Sequence, residues 1–287
     1  MSIILDPDVL PPVPPVEAVS PDGILTVRRD DAHAGVYLIA NFSAASTVPQ
    51  KVRFVRVGAD GIEVPVRGGD LAWSPGGVAV AYDHESPLGL AASWFAYPVS
   101  WAGVVGARSA GVSVTVSEPE PTRDVWIKSI TEPGLSLRVR VMAWPTLEYA
   151  ERQERFDVLG SSAPVMRVDP WSLPTSAAQI ETTTLAERLA LRELLTVGTT
   201  VLVQTRQEYG REDAYWVPGK LSEQMAGDAG DPHRTWDVPM TAVARPPTID
   251  TPLRIPGRSY DDSTVLWPTY ADRTATGQTY QDVTTGG

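Results

Sequence analysis

The 287-residue chain has no cysteine, only three histidines and few lysines. Without cysteine there is no disulfide framework, no thiolate nucleophile and no Cys-based zinc site, and the composition fits synthesis in a reducing cytosol. His33, His84 and His233 lack HExxH spacing, and no two are close enough for a helical metal pair. Walker, GxGxxG and GxSxG motifs are absent. Gly103-Val104-Val105-Gly106 reads as a flexible loop with no helix behind it. No stretch approaches the ~20 apolar residues of a membrane-spanning helix. Met1–Asp6 has neither the basic nor the apolar region of a signal peptide, so the expectation is a soluble protein not secreted by that route. The formal charge of −11 disfavours phosphate backbones and anionic lipid, which leaves no nucleic acid and no membrane among the expected partners.

What is present points to β structure. Hydrophobic residues make up 43% of the chain, enough for real cores, and 26 Pro with 23 Gly supply many turns. The length suggests two domains. Residues 1–20, with Pro7, Pro11, Pro12, Pro14 and Pro15, read as an extended Pro-rich arm. Residues 21–120 carry short alternating strands such as Gly23–Arg28, Val36–Ile39, Val52–Val57, Ile62–Val66, Val78–Tyr82 and Val112–Val116. Their spacing predicts an immunoglobulin- or fibronectin-like β-sandwich. Glu118-Pro119-Glu120-Pro121 marks a boundary. Residues 121–247 form a second β-rich domain, with strands at Val125–Ile127, Leu135–Met142, Arg155–Gly160, Pro164–Val168, Thr199–Gln204, Ala214–Leu221 and Arg234–Val243. One helix is predicted over 184–197, from the capping-box spacing of Thr184 and Glu187 and from Gly198 at the C′ position. Its leucines cover a broad arc, so it is expected mostly buried between sheets.

Three groups of residues invite a chemical reading. In Tyr82-Asp83-His84-Glu85, two carboxylates flank an imidazole. Neighbouring residues on a strand point to opposite faces, so a strand-end turn is favoured over a metal or proton-transfer site. Asp228 and Asp231 are too few for calcium, which takes 6–8 oxygens, and read as a hairpin turn. Nine tryptophans raise sugar stacking against the commoner role of aromatic side chains in cores and interfaces.

Residues 248–287 repeat Ser/Thr-Tyr-x-Asp three times at ten-residue intervals: Ser259–Asp262, Thr269–Asp272 and Thr279–Asp282. So polar a run cannot bury a core. It reads as an extended C-terminal arm of short turns. Tyr260, Tyr270, Tyr280, Trp267, Asp262, Asp272 and Asp282 are its candidate subunit-interface residues.

Val80–Gly89, with Tyr82, Asp83, Glu85, Pro87 and Gly89, resembles a signature turn of minor tail proteins from long-tailed actinobacterial bacteriophages. His84 stands where that family commonly has an aromatic residue. Val125–Ile130, Arg155–Gly160 with Pro164-Val165, the helix, Tyr215–Gly219, and the Trp236 strand ending at Arg245-Pro246-Pro247 are similar to later elements of the family, in the same order. The Thr-Tyr-x-Asp copies are similar to its C-terminal repeats. The resemblance implies a non-enzymatic structural protein of the virion tail, made in the host cytoplasm and using no cofactor. Its second domain would be split-barrel or tail-tube-like. It would form a distal-tail, baseplate or tail-tip ring or hub of three or six copies, through inter-subunit β contacts and terminal arms. Its other partners would be tail tube, hub, tape-measure or fibre proteins. The alternative is a carbohydrate-binding tail module for host-surface adsorption.

Overall fold

The computed structural model describes residues 16–120, 124–143, 147–157, 159, 165–197, 200–228 and 230–248. It is mainly β, as the strand patterns predict. The first nine strands are β1 (Glu17–Val19), β2 (Leu25–Asp30), β3 (Gly35–Asn41), β4 (Lys51–Val57), β5 (Glu63–Pro65), β6 (Ala72–Trp73), β7 (Val78–Asp83), β8 (Ala91–Val99) and β9 (Val112–Thr115). They form two antiparallel sheets, ordered β1-β2-β3-β7 and β5-β4-β8-β9, with β6 beside β4. The chain passes from one sheet to the other after β3, β6 and β7, in the Greek-key manner of an immunoglobulin-type sandwich. Alternation drives the packing: Leu25, Val27 and Leu38 from one sheet meet Phe54, Trp94 and Val114 from the other in one core.

The nine-residue β8 escapes the sequence reading. Its inward residues Ala92, Trp94 and Ala96 do alternate with Ser93, Phe95 and Tyr97. Aromatic residues in both phases, and Pro98 near its end, hide that period.

The remaining elements are β10 (Asp124–Ser129), β11 (Leu137–Ala143), β12 (Arg152–Phe156), β13 (Val165–Asp169), β14 (Thr175–Thr182), α1 (Leu185–Thr196), β15 (Val201–Gln204), β16 (Ala214–Pro218), β17 (Ser222–Met225) and β18 (Arg234–Val243). Six strands in the order β14-β11-β10-β15-β16-β18 close on themselves through the β14–β18 pairing, with β17 hung on β18. Val125, Ile127, Ile180, Trp216 and Val238 fill the barrel. Asp228 and Asp231 lie in the connection between β17 and β18, with Asp231 N–H donating to the Asp228 carbonyl at 2.9 Å.

Helix α1 carries the predicted capping box, with Glu187 N–H donating to Thr184 and the Glu187 carboxylate accepting from the Thr184 N–H. It is not buried between sheets, however. Leu191, Leu194 and Leu195 enter the barrel core, while Leu185 and Leu189 are exposed. A barrel closed on itself offers a helix one rim to cover, so a single stripe of leucines is buried. Gly198 lies outside the described residues.

Strands β12 and β13 form a two-stranded ribbon that pairs with no other strand among the described residues. Cross-strand neighbours Arg152/Asp169 and Glu154/Arg167 set opposite charges face to face, which favours this register.

From the N-terminal arm, Glu17–Val19 pairs with β2 of the same chain. Residues 1–15 and 249–287 lie outside the described residues, and with them Tyr260, Asp262, Trp267, Tyr270, Asp272, Tyr280 and Asp282.

Gly35 leaves room for Tyr82, whose ring and hydroxyl would collide with any Cβ at that position. Gly35→Ala is therefore expected to lower stability by about 1–3 kcal/mol in urea denaturation. An unchanged midpoint would show that the ring is free to move aside.

Candidate functional site

The end of β7 and the segment after it form the most heavily buried polar stretch among the described residues. Asp83, His84, Glu85 and Ser86 are all buried where the sandwich meets the outer wall of the barrel. That wall is made by β10 and β15, in which every residue is buried. Val125, Ile127, Val201 and Val203 point into the barrel. The alternate residues Trp126, Lys128, Leu202 and Gln204 share the opposite face by register and meet the sandwich. Trp126 joins the sandwich core itself.

Asp83 and Glu85 serve different partners, because the strand ends at Asp83 and the chain turns before Glu85. Arg56 Nη1 donates to both Asp83 oxygens at 2.8 Å, and Trp94 Nε1 adds a bond at 2.9 Å. Glu85 Oε1 accepts from Arg67 Nε and Nη2 at 2.9 and 2.8 Å and from the Tyr215 hydroxyl at 2.8 Å. Its Oε2 accepts from Arg245. Arg67 in turn donates to the Pro246 and Pro247 carbonyls at 3.0 and 2.6 Å, and Arg245 to the Pro65 carbonyl at 3.2 Å. One glutamate thus ties the sandwich arginine to the segment leaving the barrel.

Two further contacts cross the same seam. Lys128 Nζ donates to the carbonyls of Ala34 and His84 at 2.6 and 2.9 Å. Gln204 Nε2 donates to the Ser86 carbonyl at 3.0 Å and to Asp213 at 2.7 Å.

The electrostatics follow from burial. Burial works against the Glu85 carboxylate, but the His84 ring, Arg67 and Arg245 outweigh it and hold its pKa at about 2. Burial pushes Lys128 down to about 7, against the pull of Asp213 and Asp83. Burial also pushes His84 down to about 4, and neither ring nitrogen has a hydrogen-bond partner among the described residues. The imidazole lies parallel to the Tyr82 ring with centroids 6.4 Å apart, the place of an aromatic side chain. A carboxylate ionised to pH 2 and saturated with donors holds position; it is poorly suited to exchange protons near neutrality.

This turn is therefore a strand end, as the sequence suggests, and also the joint of the molecule. Pro87 and Gly89 continue it, and Gly89 has φ 71°, with its N–H donating to Val116 O at 2.8 Å. Sequence reasoning missed Arg67, Lys128, Gln204, Tyr215 and Arg245 as parts of this site. The available signal was Lys128 inside the apolar run Val125–Ile130, a charge that must find partners if the strand is central.

Among the described residues no three His, Asp or Glu side chains group as a metal site. Trp94, Trp126, Trp216 and Trp236 are buried, whereas Trp101 and Trp171 are exposed on connecting segments. No protein-family model matches the chain, and no curated protein matches it.

Removing one partner from a buried pair leaves a charge uncompensated. Arg67→Ala is expected to cost about 3–5 kcal/mol, against less than about 1 kcal/mol for Arg167→Ala in its exposed pair with Asp169, both read by chemical denaturation. Equal effects would remove the joint's special standing.

His84 adds a pH dependence. Between pH 6.5 and about 4 the unfolded chain takes up a proton that the folded chain refuses, so stability falls with pH in that window, by up to about 3 kcal/mol. Glu85 acts lower: its contribution is complete above pH 4.5 and is lost as pH falls towards 2. His84→Phe keeps the ring and should flatten the upper window, while the lower one narrows without vanishing, because Arg67 and Arg245 still hold Glu85 below its usual range. A variant profile that follows the parent from pH 6.5 to 4 would contradict this.

Proposed function

We propose that the chain is a structural subunit of a bacteriophage tail tip, assembling as a ring or hub in the virion. The observation that carries the reading is the β12–β13 ribbon. Each of its residues is exposed except half-buried Asp169, and Phe156, Val165, Met166 and Val168 are among the exposed ones. A two-stranded ribbon is marginal in water, and edges that no other strand among the described residues pairs with invite another chain. β-strand addition to a neighbouring subunit satisfies both edges and covers the apolar side chains.

The ordered resemblance of sequence segments to minor tail proteins names the kind of assembly, with three or six copies as its symmetry. Tail tube, hub, tape-measure or fibre proteins are the proposed neighbours, and the terminal arms are the proposed second set of contacts. The role is non-catalytic, because the carboxylates of the signature turn are committed to holding the joint. A carbohydrate-binding role finds less support, since among the described residues neither exposed Trp lies within a sandwich strand.

The test is Phe156→Asp with Val168→Asp in the full chain. Both side chains are exposed, so the unfolding free energy should move by less than about 1 kcal/mol. Sedimentation should show loss of the oligomer, and particles made with the variant should lack the protein or be tailless. Normal assembly of the variant, or a parent protein missing from purified particles, would overturn the proposal.

A further inference from the structure

Two cores meet at the joint without merging. Among the described residues, Trp126 alone carries a barrel strand into the sandwich core, and the barrel core draws on no sandwich residue. Between them lies a layer of buried polar side chains. His84, Ser86, Lys128 and Gln204 are all 0% exposed. The layer is also under-bonded. Both His84 ring nitrogens, Ser86 Oγ and Gln204 Oε1 have no hydrogen-bond partner among the described residues. Buried polar atoms are nearly always bonded, so this layer holds the two cores together less firmly than its burial suggests.

The charges around His84 are already committed. On its own segment, Asp83 accepts from Arg56 and Trp94, and Glu85 from Arg67, Arg245 and Tyr215. The Tyr82 ring beside it donates its hydroxyl to Asp30, which also pairs with His33. From the barrel, Lys128 occupies the Ala34 and His84 carbonyls, and Asp213 accepts from Gln204. A neutral imidazole fits such a place. An imidazolium would bring a charge and two N–H donors to a seam where neither ring nitrogen finds an acceptor. Burial, helped by Lys128 and Arg67, outweighs the pull of Glu85 and Asp83 on that charge.

We propose that the joint is an acid-operated hinge: His84 takes up a proton when sandwich and barrel part, and both cores stay folded as they do. The inference stands whether or not the chain builds a tail. Parting strands no charge. The pairs Arg67–Glu85 and Arg56–Asp83 lie wholly within the sandwich and stay made, while Lys128, Asp213 and Arg245 meet water. The apolar loss is chiefly Trp126. Local openings of this kind lie below global unfolding in free energy.

An open seam returns His84 to its ordinary 6.5, whereas the closed one holds it at about 4. Opening therefore gains as pH falls through that window, by up to about 300-fold. Lys128, pushed down to about 7 by burial, acts with the same sign between 10.5 and 7. Asp213, raised by burial, acts the other way in acid and trims the gain. Glu85 enters only below pH 4.5.

Because the chain has no cysteine, a single introduced thiol reports its own surroundings. Full-length Ser86→Cys places one in the seam, where the lost hydroxyl has no partner among the described residues. Val27→Cys and Val203→Cys place one in the sandwich core and one in the barrel core. Each is labelled with a dipyridyl disulfide, and its rate is divided by that of a free model thiol at the same pH. From pH 7 to 4.5 the seam thiol should gain about tenfold or more, and the core thiols less than about threefold. His84→Phe in the Ser86→Cys chain should remove the gain, and His84→Leu serves if the larger ring unfolds the protein. A gain shared equally by all three thiols would mean global unfolding and overturn the hinge. So would a seam thiol that gains nothing, or a gain that survives the loss of His84.

Discussion

Glu85 has to be buried, and everything around it follows from the cost of burying a carboxylate. Two arginines and a tyrosine converge on it, one arginine from the sandwich and one from the segment leaving the barrel. Such an arrangement is a weak source of net stability, since desolvation offsets much of the attraction. Its stronger effect is on geometry. A shifted barrel would strand Arg67, Glu85 and Arg245 without partners in a dry seam, so the network penalises alternative placements more than it rewards the native one. Lys128 and Gln204 add the same constraint through backbone carbonyls of the sandwich.

The joint gives the proposed assembly its logic. In the proposed ring each copy must present its β12–β13 ribbon at a fixed angle to the sandwich. A hinge between sandwich and barrel would spread that geometry over many arrangements and raise the entropic cost of closure. Ion pairs lining the seam and the shared burial of Trp126 in the sandwich core oppose such a hinge.

Much of the β architecture could be read in the sequence wherever one face of a strand is buried. Val36–Ile39, Val52–Val57 and Val112–Val116 alternate because one side meets a core and the other meets water. Strand β14, Thr175–Thr182, could not be read this way. Its small and polar residues become a strand because β11 and β18 pair with it on both sides. Helix α1 was legible in its cap and misjudged in its burial, since no local pattern reveals that the neighbouring strands close a barrel. The joint was half visible. Asp83 and Glu85 stand out beside an imidazole, but the partners of Glu85 lie 18, 130 and 160 residues along the chain. Only the tertiary fold brings them together.

The central claim is that this chain is a tail building block whose ribbon is completed by a neighbour. A cryo-electron map of intact particles tests it most directly. The expected result is several copies in a closed ring, each β12–β13 ribbon paired against the next subunit and each Glu85 clasped by Arg67 and Arg245. A map in which the chain is absent, or present with its ribbon facing solvent, would contradict the claim.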